Sequence, residues 1–263
     1  MGVVNVTPDS FSDGGRFLEA GAAADHARRL VEEGADIIDV GAESSRPGAD
    51  AVAPGEELRR LLPVLKGLRD LPVPVSVDTV KPEVMRAAIA EGASMINDVN
   101  ALRAPGALET VANADGGVCL THMQGEPRTM QREPRYRDVV AEVKAFLAER
   151  VAAAEARGIA RERIVIDPGF GFGKTIEHNF ELLRNLGRLA EIGLPVMAGW
   201  SRKSTLGAVT GRGPAERLAA SVAAALLAVQ HGARIVRVHD VAATQDALAV
   251  LAAMDGQYGR EKR

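Results

Sequence analysis

A chain of 263 residues can fill one sizeable core, and would leave two domains each small. Its 32 Lys+Arg against 35 Asp+Glu give a net charge of -3, which argues against a nucleic-acid surface built on long-range attraction, so any anion site is local. A single cysteine excludes a disulfide framework and a Cys-rich zinc site, and no apolar run reaches the ~18 residues of a membrane span, so a soluble, cytoplasmic protein without a membrane partner is expected.

The first apolar run, Gly2 to Asn5, ends in Val6 to Gly15, whose Pro, Asp, Ser and Gly mark a loop able to fold over a ligand. Glu19 to Glu33 reads as a helix stopped by Gly34. A second run, Asp36 to Asp39, leads into the polar loop Gly41 to Asp50. Pro54 to Leu68 is a helix opened by Pro54 with Glu56 and Glu57 in its first turn, where the helix dipole favours acids.

Val73 to Asp78 is the third strand, and Thr79 to Glu83 starts a helix that Gly92 closes. Ser94 to Asp98 is the fourth strand, a short helix spans Gly106 to Ala114, and Val118 to His122 is the fifth strand, with Cys119 as core. The irregular stretch Met123 to Arg135 is long for a compact domain, which marks a functional loop. Asp138 to Arg157 follows as the longest helix, with an apolar stripe of Val139, Val143, Phe146, Leu147 and Val151.

Ile164 to Asp167 precedes the glycine-rich Pro168 to Thr175, and a helix from Glu177 to Ile192 delivers the seventh strand, Pro195 to Gly199. After the loop Gly199 to Leu206 an Ala-rich helix spans Pro214 to Gln230. The last strand, Arg234 to Asp240, places Arg237 and His239 on one face, and Val241 to Met254 closes the chain. Eight short strands alternating with helices predict a single α/β domain, a (β/α)8 TIM barrel over residues 1–263, with its site at the C-terminal strand ends.

Several tempting motifs fail. Pro168 stands where a Walker phosphate loop needs its first glycine, so the glycine-rich stretch reads as a tight rim loop. None of the five histidines forms an HExxH or a close pair, which argues against a histidine-held catalytic zinc. Asn5, Asp39, Asp78, Asn97 and Asp167 each close an apolar run. Singly they are polar strand ends or caps; together in a barrel they offer acceptors to a donor-rich small molecule or oxygen ligands to a hard cation. Ser201-Arg202-Lys203-Ser204 follows strand seven, where barrels often hold phosphate, and with Arg46, Arg237 and His239 it points to an anionic substrate.

In this order, residues 1–15, Ile37 to Gly48, Ser76 to Thr79, Ile96 to Asp98, Asp167 to Lys174, Ser201 to Ser204 and Arg237 to Asp240 resemble the pterin-binding barrel family, and within it the dihydropteroate synthases. The resemblance implies condensation of 6-hydroxymethyl-7,8-dihydropterin pyrophosphate with 4-aminobenzoate, Mg2+ as cofactor, competition by sulfonamides, and a homodimer. It implies that Asp78, Asn97, Asp167, Lys203 and Arg237 bind the pterin. Asn5, Ser45, Arg46, Arg237 and His239 would meet the pyrophosphate, with Asn5 also at the metal and Asp39 orienting metal water or the first loop. Ser204, Phe11, Pro47 and Phe172 would shape the aminobenzoate pocket, and Asp78, Lys203, Arg237, His239 and Asp39 would carry catalysis. The sequence departs from the family pattern at Ala42, Ser45 and the bulky Trp200, and it opens directly on the first strand, where the family usually has a further hairpin. A pterin-barrel methyltransferase acting on a corrinoid protein, and a binding barrel without turnover, are the competing readings.

Overall fold

The computed structural model describes residues 1–6, 16–44 and 49–256. Its strands are β1 (Gly2–Asn5), β2 (Ile38–Gly41), β3 (Val75–Asp78), β4 (Met95–Asp98), β5 (Gly117–Thr121), β6 (Ile164–Asp167), β7 (Met197–Ala198) and β8 (Ile235–Val236). The first six pair in chain order and β7 pairs with β8, all parallel. Single bridges, Ile166 to Val196 and Gly2 to Val238, join the two pieces at both edges. Ile166 N–H donates to Pro195 O at 3.0 Å, and Val3 N–H to Val238 O at 3.0 Å. The sheet therefore closes on itself as a (β/α)8 barrel, in which each described strand has a neighbour on both sides.

The helices are α1 (Arg16–Glu32), α2 (Pro54–Gly67), α3 (Pro82–Ala90), α4 (Ala107–Ala112), α5 (Val139–Ala156), α6 (Ile176–Arg184), α7 (Leu186–Ala190), α8 (Ser204–Thr210), α9 (Leu218–Gln230) and α10 (Val241–Met254). Local chemistry explains their ends. Asp138 caps α5 by accepting from Ala141 N–H at 2.9 Å, and Val139, Val143, Leu147 and Val151 of the expected stripe are buried. Thr175 and His178 form a reciprocal cap at the start of α6.

Most bounds shift by a few residues from the sequence reading, and three differences change the arrangement. The helix expected over 177–192 breaks at Asn185, whose side-chain amide donates to Glu181 O at 2.8 Å and so competes for the carbonyls of the last turn. The stretch 204–210 forms the short α8, and Pro214–Glu216 is a separate 3-10 turn, so the Ala-rich helix begins at Leu218. Strand β2 runs to Gly41, which seats Asp39 one turn of the pleat below the rim instead of at its edge. Cys119 is fully buried, as its place in an apolar run implies.

Candidate active site

The site is assembled from strand ends, beginning with a guanidinium. Arg237 follows β8, and its N–H donates to Ala198 O of β7 at 3.0 Å, fixing where the side chain starts. Arg237 Nε then donates to Asp39 Oδ2 at 2.6 Å and Nη2 to Asp78 Oδ2 at 2.9 Å. Asp39 Oδ2 also accepts from Asn97 Nδ2 at 3.2 Å. One cation thus ties β8 to β2 and β3 across the barrel, and Asn97 adds β4. The other oxygen of Asp39, Oδ1, and the amide oxygen of Asn97, Oδ1, are buried with no hydrogen-bond partner among the described residues. Buried acceptors left unmet are costly, so a donor entering here would be bound well.

The other half comes from β6 and β7. Asp167 ends β6, and its Oδ1 accepts from Gly169 N–H at 2.7 Å, which folds the glycine-rich loop back on the strand. Lys203 directly precedes α8; its ammonium donates to Phe170 O of that loop and lies 4.6 Å from the Phe172 ring centroid. A Cβ on Gly199 would stand 3.9 Å from both Arg237 Cβ and Lys203 Nζ. Gly199 thus lies between the base of the Arg237 side chain and the Lys203 ammonium.

Electrostatics link the two halves. Burial pushes the Asp78 carboxyl up to about 7; Arg237 opposes the rise while Asp39 and Asp98 add to it. Burial lowers Lys203 to about 8, with Asp167 and Asp78 raising it and Arg237 lowering it. Asp167 is raised by burial against the pull of Lys203. Asp78, Asp167, Lys203 and Arg237 therefore lie in one field at one barrel mouth, where their charges compete. Such opposed shifts in a cleft are typical of functional groups.

The other expected residues have their own partners and places. His239 N–H donates to Ser201 Oγ at 3.1 Å and its Nδ1 lies 2.9 Å from the same oxygen, whereas Arg237 turns to Asp39 and Asp78. The strand ends at Val236, so the two side chains serve different partners. Arg202 is spoken for by Asp240, with bonds of 3.2 and 2.6 Å, which leaves Lys203 as the cation of that motif facing the site. Asn5 ends β1 opposite Gly41, half-buried; Ser204 is the exposed first residue of α8. Phe11, Ser45, Arg46 and Pro47 lie outside the described residues.

Sequence reasoning missed two supports. Trp200, a departure from the family pattern, is buried and packs on Phe170 at 4.6 Å and Phe180 at 5.5 Å between ring centroids, bracing the glycine-rich loop. Lys174 is buried inside that loop, a position that only its place at the end of the glycine run could have signalled.

Residues 1–239 match the family model described as pterin binding enzyme. The chain belongs to the pterin-binding enzyme family. It is 54% identical over 261 residues to the dihydropteroate synthase of Neisseria meningitidis serogroup B, covering 97% of this chain and 92% of that protein. Among solved structures, it is similar to dihydropteroate synthase from Xanthomonas albilineans in complex with 7,8-dihydropteroate, with 55% identity, a TM-score of 0.88, and coverage of 97% of this chain and 92% of that one. It is also similar to the Yersinia pestis dihydropteroate synthase in a sulfonamide drug complex, with 44% identity, a TM-score of 0.93, and coverage of 97% and 94%. As a pterin-binding enzyme it places its acceptors and cations at the C-terminal end of the barrel, where the (β/α)8 fold builds its sites.

Proposed function

We propose that this chain condenses 6-hydroxymethyl-7,8-dihydropterin pyrophosphate with 4-aminobenzoate, releasing 7,8-dihydropteroate and pyrophosphate, which is the dihydropteroate synthase reaction of folate biosynthesis. The observation that carries the reading is the convergence of Asp78, Asp167, Lys203 and Arg237 in one field beside the unmet oxygens of Asp39 and Asn97. A pterin presents a ring edge rich in N–H donors, and Asp78, Asn97 and Asp167 supply matching acceptors. Lys203 donates to the ring carbonyl and N5 region, and Arg237 lies against the ring.

In the reaction the exocyclic C–O bond to pyrophosphate breaks and a C–N bond to the aminobenzoate amine forms. Positive charge developing on the methylene spreads into the pterin, where the carboxylates beneath it stabilise it. The amine loses its proton to solvent or to the departing pyrophosphate, so no side chain is assigned as general base. His239, Arg46 and Ser45 hold the pyrophosphate with Asn5; Ser204, Phe172, Phe11 and Pro47 shape the aminobenzoate pocket, which sulfonamides contest.

Among the described residues no three of His, Cys, Asp or Glu converge as a metal cage. Asn5 ends β1 opposite Gly41, and Asp39, two residues before Gly41 on β2, keeps Oδ1 without a partner among the described residues; amide and carboxylate oxygens are the donor types of a hard cation that takes most of its ligands from water and substrate phosphate, as Mg2+ does. Bound Mg2+ would mask charge on the leaving group. Asn5 would hold it on the protein side, with Asp39 ordering its water. One cytoplasmic barrel domain, paired as a homodimer, completes the proposal; no described helix is long and apolar enough to cross a membrane.

The test is a coupled pyrophosphate-release assay with both substrates, omitting Mg2+ and aminobenzoate in turn. Release that needs both is expected. Methyl transfer to a corrinoid protein with no pyrophosphate release would overturn the assignment, and tight pterin binding with no turnover would leave only a binding barrel.

A further inference from the structure

The reaction as proposed uses Lys203 and leaves Lys174 without a role, yet Lys174 is the more unusual group. The residue is 3% exposed, and no carboxylate lies within hydrogen-bonding reach among the described residues. Lys174 Nζ donates to His122 Nδ1, Gly169 O and Phe172 O, each at 2.9 Å, and approaches His122 O at 3.4 Å. These acceptors come from both ends of the glycine-rich loop and from the residue after β5. Burial holds the Lys174 ammonium well below its ordinary range, and burial with the neighbouring Lys174 cation holds His122 down, so His122 offers a neutral Nδ1 lone pair. Burying such a group is costly even though the Asp167 carboxylate, beyond hydrogen-bonding reach, favours its charge, and it points to a compensating use.

The use lies on the other face of the same loop. Lys203 is held by Phe170 O and by the Phe172 ring, the residues on either side of Gly171. A Cβ on Gly171 would stand 3.2 Å from Lys203 Cδ, so the lysine lies directly along this backbone. Phe172 O, which Lys174 grips, belongs to the residue whose ring faces Lys203. Gly169 and Gly173, with φ of +68° and +62°, give the loop its tight course, and Asn179 Oδ1 takes Gly171 N–H at 2.7 Å. Trp200 braces Phe170 from beneath.

Resting on the reading given under Proposed function, we propose that Lys174 is a positioning residue for the pterinylmethyl transfer: it gathers the carbonyls of the 169–173 loop so that Phe170 O and the Phe172 ring hold Lys203 in place and define the aminobenzoate side of the site. Lys174 does not touch substrate. Its effect reaches the reaction through Lys203 and Phe172.

The test compares the wild-type chain with Lys174→Met and with His122→Leu, which removes one acceptor and leaves the lysine in place. Pyrophosphate release by the wild type is measured first; its failure would dispose of the assigned reaction and not of Lys174 alone. Given wild-type turnover, Lys174→Met is expected to raise the KM for aminobenzoate, whose pocket Phe172 lines, roughly tenfold, the loss of about one net hydrogen bond's worth of positioning, and to raise the KM for the pterin substrate, which Lys203 contacts, by a similar factor. The basic limb of the kcat/KM profile should also move to lower pH, because Lys203 loses the acceptor and ring that favour its ammonium. Simple removal of a nearby positive charge would move that limb the other way. His122→Leu should shift these quantities in the same directions by a smaller amount, and it serves alone if Lys174→Met does not fold. An unchanged aminobenzoate KM, or a basic limb that moves upward in the variant that folds, would overturn the proposal.

Discussion

Asp78 and Lys203 face each other's field with ionisation ranges pushed towards one another, to about 7 and about 8. The working form of the site needs Asp78 ionised, to accept from the pterin edge, and Lys203 protonated, to donate to it. Raising pH through about 7 ionises Asp78 and raises kcat/KM; raising it further through about 8 deprotonates Lys203 and lowers it. A narrow bell is therefore expected, whose limbs belong to the coupled cluster rather than to either group alone. Asp78→Asn should erase the acidic limb and weaken pterin capture by roughly 10- to 100-fold, the scale of one charge-assisted hydrogen bond. Lys203→Ala should nearly abolish turnover. Pterin titration and a pH–rate series on both variants check this, and an acidic limb surviving in Asp78→Asn would remove Asp78 from the assignment.

Elements carry this arrangement through their ends, and the glycine-rich loop after β6 is the most demanding of them. A Cβ on Gly169, at a φ of +68°, would fall 1.9 Å from His122 O, so Gly169→Ala must move backbone. The backbone conformation alone costs a non-glycine residue about 1–3 kcal/mol, and the clash adds to it. Gly169→Ala is expected to lower the urea midpoint while Gly55→Ala, where an added Cβ meets nothing within 4 Å, leaves it nearly unchanged. This need for glycine was legible in the sequence as tight backbone approach, and so were β1, β6 and α10, whose bounds follow directly from apolar runs between turn formers. The break at Asn185 was not legible, because one side-chain amide competing for a carbonyl leaves the helical period intact. The short α8 was hidden by its β-branched and glycine residues, which lack helical periodicity.

Elsewhere the same logic governs the loop after β2. Lys81, at the start of α3, bonds both Glu43 and the fully buried Glu57 of α2. Lys81→Met would leave Glu57 as an uncompensated buried acid, at a cost of roughly 3–5 kcal/mol. A denaturant midpoint like that of the wild type would show that Glu57 had found water or another donor.

At the scale of the whole molecule, the barrel brings residues 237, 39 and 78 into one ionic crosslink across its mouth. Five polar strand ends made such a convergence readable from sequence, since a closed barrel forces its strand tips together. What could not be read was the bookkeeping of charge. Arg237 and His239 were expected as a cationic pair facing an outside anion, and no local pattern announced that Arg237 also bonds Asp39 and Asp78 and that His239 also bonds Ser201. Side-chain partners that lie 198 and 159 residues apart leave no local pattern. This crosslink should therefore be both structural and functional, and the two can be separated. Arg237→Met leaves Asp39 buried without its cation and is expected to cost roughly 3–5 kcal/mol of stability, with loss of turnover. Asp78 escapes most of that penalty by taking a proton, since its range is already near neutral. Adding Asp39→Leu to Arg237→Met removes the stranded charge, so the double variant should regain most of the stability while turnover stays lost. Urea unfolding and pyrophosphate release on the single and double variants decide it: a double variant no more stable than Arg237→Met would mean that the crosslink holds the barrel through packing rather than through the pairing of its charges.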